Sequence, residues 1–157
     1  MIRDMRQFLA ERAELLAFIH LTGREDLIVN RLESADSGVD LLVTLALGGA
    51  PTGRMFGVQV QAREGSATCP RDLQAPGDLS FRDVADVPLP LCRFVFTMAD
   101  DKGYYGWLKE PVVADQHAPV LRLVEDVRWD QLNDEGLARI IGSVNAWYDA
   151  QRTPQAA

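Results

Sequence analysis

The stretch from Val39 to Arg63 constrains this chain most. Val39 to Leu47 and Arg54 to Arg63 alternate apolar and polar positions at the two-residue period of a β-strand. Gly48-Gly49-Ala50-Pro51-Thr52-Gly53 lies between them and is rich in turn residues, so the two runs read as an antiparallel hairpin. If the hairpin closes with Leu47 opposite Arg54, the register sets Asp40 opposite Gln61 and Leu42 opposite Gln59. Alternation gives a core face of Leu41, Val43, Leu45, Phe56, Val58 and Val60. The other face carries Asp40, Thr44, Gln59, Gln61 and Arg63, a cluster of polar groups toward one end of a sheet and therefore a candidate site.

The rest of the chain supplies partners for that hairpin. Residues 3 to 22 read as a helix, with Met5, Phe8, Leu9, Leu15, Leu16 and Ile19 on one side and Gly23 at its end. Asp26 to Leu32 is a short strand, followed by a turn-rich stretch from Ser34 to Gly38. Glu64 to Pro90 is poor in periodicity, with one short helix expected around Ser80 to Val87. Leu91 to Met98 and Gly103 to Leu108 are apolar strands joined by the turn Ala99-Asp100-Asp101-Lys102, and Val120 to Val124 is a last short strand. Leu132 to Gln151 is a helix with Leu137, Ile140, Ile141, Val144 and Tyr148 on one face. Segregated hairpins and terminal helices predict a mixed central β-sheet flanked by helices, of the α/β or α+β class. One domain is expected over residues 1–152, with 153–157 a disordered tail.

Composition narrows the partners. The chain has 157 residues and a formal net charge of −7, which disfavours nucleic-acid binding by bulk charge and leaves it to a local basic patch. Its positive charge comes from fourteen Arg and only two Lys, Lys102 and Lys109. Cys69 and Cys92 show neither a disulfide framework nor metal-ligand spacing. No signal-peptide pattern and no long apolar run is present, so the reading is a cytoplasmic protein with no membrane partner.

A helix glutamate, then Asp36-Ser37-Gly38-Val39-Asp40 opening a strand, then Phe56-Gly57-Val58-Gln59-Val60-Gln61 on the next, resembles the PD-(D/E)xK nuclease core. More narrowly, the chain is similar to a bacterial family of unknown function on that restriction-endonuclease-like fold. In that family a Glu-x-x-Ala helix leads to a Gly-x-Asp strand, and Glu11-Arg12-Ala13 is taken as the helix part. Gly103-Tyr104-Tyr105-Gly106-Trp107-Leu108 shares the resemblance, which spans roughly residues 8 to 110. The resemblance implies a Mg²⁺ site in which carboxylates hold the ion and a Lys assists the attacking water. By position it implies Glu11, Asp40 and Gln59 as metal ligands; on a helical wheel Glu11 sits at the margin of the apolar stripe, while Glu14 points away from the sheet. It also places Gln61 where the lysine belongs.

That departure decides the expected function. A neutral amide has no ammonium to place near phosphate and cannot exchange a proton, so water activation loses a component. Arg63 shares the face of Gln59 and Gln61 and could stabilise charge, though it remains protonated. The resemblance therefore implies a degenerate nuclease-like protein with little or no catalysis and Mg²⁺ weak or absent. It would act by binding nucleic acid or a protein partner, in a setting such as bacterial defence. Two alternatives stand beside it: an active Mg²⁺-dependent endonuclease using Arg63 for the lysine, and an acidic interaction or immunity-type module. Homodimerisation is open. So are plainer roles, with Asp40 bonding backbone at a strand start, Gln59 and Gln61 facing solvent, and Glu11 serving Arg12.

Overall fold

A computed structural model describes residues 4–33, 38–66 and 86–152. Helix α1, Met5–Thr22, starts at Asp4, whose carboxylate accepts the Arg6 N–H, as an N-cap should. Next come strands β1 (Leu27–Arg31), β2 (Leu41–Leu47), β3 (Ala50–Arg63), β4 (Leu91–Thr97), β5 (Lys102–Val113) and β6 (Pro119–Leu123). A two-residue β7 (Asp130–Gln131) precedes the second helix, α2 (Asp134–Arg152). The expected helix near Ser80 to Val87 falls almost wholly outside the described residues. Residues 34–37, Cys69 and the tail 153–157 lie outside them too.

The strands form one mixed sheet in the order β1-β2-β3-β4-β5-β6, with β7 paired to β5. Only β3 and β4 run parallel among these pairs; the others are antiparallel. This is the α+β architecture expected, consistent with a restriction-endonuclease-like core. No helix among the described residues is long and apolar enough to cross a membrane.

Both helices close on the same face. Ala13, Ala17 and Leu21 of α1 and Leu137, Ile140 and Val144 of α2 share one cluster with Leu41, Val43, Phe56, Phe94 and Phe96. The α2 face is the one its periodicity predicts. The α1 face is not: Met5, Phe8, Leu15 and Ile19, expected in the core, are 43–65% exposed. Small residues win because Ala13 and Ala17 let the helix axis approach the sheet closely, leaving the bulkier stripe outside. Arg12, within that outer stripe, finds a carboxylate in Asp101 at 2.6 Å.

The hairpin turns more tightly than its sequence suggests. Gly48 and Gly49 both have positive φ, +60° and +82°, so two residues reverse the chain and Leu47 faces Ala50 instead of Arg54. A bulge across Thr52–Arg54 then resets the pairing to Thr44↔Met55 and Leu41↔Val58. Continued by one residue, this register places Asp40 across from Gln59, not Gln61. Which residues face the core is unchanged, because the slip is an even number of residues. The bulge is held by α2. The Tyr148 hydroxyl accepts the Met55 N–H at 3.1 Å and donates to the Met55 carbonyl at 2.9 Å. Arg54 reaches Asn145 and Asp149.

Candidate functional site

The opposite face of the sheet carries the candidate site. Toward β5 it is closed by the segment after β6: Val95 and Tyr104 pack on Trp129, and Leu91 and Leu108 pack with Val39 against Val87 and Val127. Gly57 has no side chain beneath the Val39–Leu91 contact, where a Cβ would stand 3.0 Å from both. On β3 the same face presents Gln59, Gln61 and Arg63, and the parallel register sets them beside Arg93, Val95 and Thr97 of β4.

Asp40 sits just before β2, where its backbone joins three strands. Its N–H donates to the Val58 carbonyl and its carbonyl accepts the Leu32 N–H, both at 2.9 Å. Beyond the end of β2 the ladder has no rung left for Val60, and the Asp40 carboxylate supplies one, accepting the Val60 N–H at 2.7 Å. Burial pushes the Asp40 carboxyl above the usual carboxylate range; the Val60 N–H opposes that shift and the nearby Glu14 charge adds to it.

The helix carboxylate whose charge bears on Asp40 is thus Glu14, not Glu11. Glu14 does not point away from the sheet as expected, because α1 buries Ala13 and Ala17 and so turns residue 14 toward the β1 edge. There its Oε1 accepts from Arg31 Nε at 2.9 Å. Glu11 contributes to the field at Arg31. The sequence contained a signal for this: Glu14-Leu15-Leu16-Ala17 spells Glu-x-x-Ala literally, with Ala17 buried.

Arg93 was missed at the sequence level. It is 9% exposed and donates from Nε to the Gln59 amide oxygen at 2.8 Å. A guanidinium within the apolar run Leu91-Cys92-Arg93-Phe94-Val95-Phe96 had to find such a partner across the strand, and that run was the available signal. Arg63, at the end of β3, is partly buried, and its Nη1 is shut off from water with no acceptor among the described residues. Such a donor costs about 1–3 kcal/mol if nothing satisfies it.

Lys109 is buried and donates to the Val87 carbonyl, while Lys102 is exposed at the start of β5. An open groove of about 730 Å³ lies elsewhere, beside Trp107, Arg122 and Asp126, and includes none of the sequence-chosen residues.

The donor set does not suit a divalent ion. Mg²⁺ takes a near-octahedral array of hard oxygens, usually one or two free carboxylates with waters or phosphate oxygens completing it. Here the Gln59 oxygen already faces a guanidinium and Glu14 is paired with Arg31. Among the described residues no group of three or more His, Cys, Asp or Glu gathers in a way that could hold a metal. What the face does offer is amides and two guanidiniums, groups that bind anions and cannot activate water by taking a proton. Comparisons with protein-family models, with curated proteins and with solved structures find no match.

Proposed function

We propose that this chain is a degenerate nuclease-like protein that acts by binding a nucleic-acid strand and not by cleaving it. The observation that carries the reading is the Arg93–Gln59 bond, which sets a fixed positive charge against the amide oxygen that a metal site would need. A guanidinium can neutralise phosphate as an ion does, but it cannot lower the pKa of a coordinated water. Gln61, in the lysine's place, adds no titratable group. With −7 overall, binding depends on these local cations and must weaken steeply with salt.

Incubation of the purified protein with plasmid or single-stranded DNA in Mg²⁺ or Mn²⁺ tests the absence of cleavage. Both substrates are expected to remain intact on a gel. Metal-dependent cleavage that disappears in Asp40→Ala would overturn the reading and favour a working endonuclease.

A further inference from the structure

The described arginines drawn in from solvent differ in one respect. Arg24 donates to Asp26 at 2.9 and 3.0 Å, Arg54 to Asn145 and Asp149, and Arg93 to Gln59. Arg63 is partly buried, yet its side chain makes no hydrogen bond or ion pair among the described residues, and Nη1 is fully buried. Its guanidinium cannot shed the charge by deprotonating. Among the described residues, this leaves a partly buried cation at the end of β3 without an acceptor, which suits a residue waiting for an anionic ligand.

We infer that Arg63 is the anchoring residue of a phosphate-binding site on the polar face of β3, and that the ligand is a single-stranded phosphodiester backbone. This deepens the proposed function, on which it rests for the class of ligand. A guanidinium prefers phosphate because two parallel N–H groups meet two anionic oxygens. The residues beside it fit a repeating ligand. Gln59, Gln61 and Arg63 recur every second residue, about 7 Å apart along a strand, so donors line up in a row and do not converge on one point. Arg93, next to Gln59, places a second cation about four residues from the first. Two acidic groups beside this row are engaged: Asp40 accepts from Val60, and Asp100 accepts from Thr97, the β4 neighbour of Arg63.

The test uses the full chain in EDTA and a fluorescent twelve-nucleotide oligo(dT), read by anisotropy at 50 mM and 200 mM salt, with inorganic phosphate as competitor. Arg63→Met is expected to bind about tenfold more weakly and to lose roughly one unit of the log–log salt slope. Arg128→Gln, which alters an exposed guanidinium in the segment after β6, is the control and should bind like the parent. Melting without ligand separates this loss from misfolding: Arg63→Met should melt at or above the parent temperature, because it removes a donor that had no acceptor. Parent-like binding by Arg63→Met, or no oligonucleotide binding by the parent, would overturn the inference. So would a response to inorganic phosphate alone. Cleavage on adding Mg²⁺ would instead overturn the non-catalytic reading, leaving the role of Arg63 to be decided by Arg63→Met.

Discussion

The two faces of the sheet are closed by different means. Under α1 and α2 the strands present Phe56, Phe94, Phe96, Leu41 and Val43, all fully buried, and the contact is apolar volume against apolar volume. On the other side a strap, the segment after β6, covers β4 and β5 with little more than Val127 and Trp129, and β3 is left with amides and arginines. Apolar packing is nondirectional and tolerates many sequences, so the first face stabilises the fold without defining a ligand. The second face depends on particular donors and acceptors, so it can discriminate among ligands.

Removing volume from the helix-covered face gives the largest expected effect. Phe94 lies in the middle of β4 and is fully buried in the main cluster. Phe94→Ala should cost about 3–5 kcal/mol through lost transfer energy and a residual cavity, measured by urea denaturation. A cost below about 1 kcal/mol would mean that the two faces do not differ as described.

The strap is tested by adding volume. A Cβ on Gly106 would overlap Val127 Cγ1 and stand 3.0 Å from the Arg128 carbonyl and 3.2 Å from Trp129 Cε3. Gly106→Ala should therefore cost about 1–3 kcal/mol by overpacking, and amide exchange should accelerate in residues 124–131 more than in α2. If stability is unchanged, the strap lifts easily and contributes little to closing that face.

Reading the sequence located the strands and helices better than it located their partners. Periodicity found α2 because Leu137, Ile140 and Val144 are apolar against a polar opposite side. It misjudged α1 because that helix is apolar on two sides, and side-chain size, not hydrophobicity, selected Ala13 and Ala17 for the sheet. The hairpin register slipped because Gly48-Gly49 alone makes the turn, and the remaining loop-like residues form the bulge that Tyr148 secures. Asp40, Gln59, Gln61 and Arg63 were legible as one polar face, since alternation is insensitive to an even slip. Their partners were not. Arg93 and Glu14 enter through strand order and helix rotation, both set by tertiary packing.

The finest distinction between the faces concerns the charge on Asp40. In Asp40→Asn the side chain keeps an oxygen for the Val60 N–H and loses only the ability to ionise. The Asp40 pKa is raised in the folded protein, chiefly by burial, so the folded state retains a proton at pH values where the unfolded chain has released it. Ionisation of Asp40 therefore lowers stability as pH climbs from the ordinary value of 3.8 through the folded one, and the penalty is constant above that. Asp40→Asn should match the parent at pH 3 and melt at a slightly higher temperature at pH 7, the smallest of the three effects. The reverse pattern, with Asp40→Asn progressively less stable than the parent toward pH 7, would show that a cation favours the carboxylate. The polar face would then be an ion-paired surface of the fold itself and not one kept for an anionic ligand.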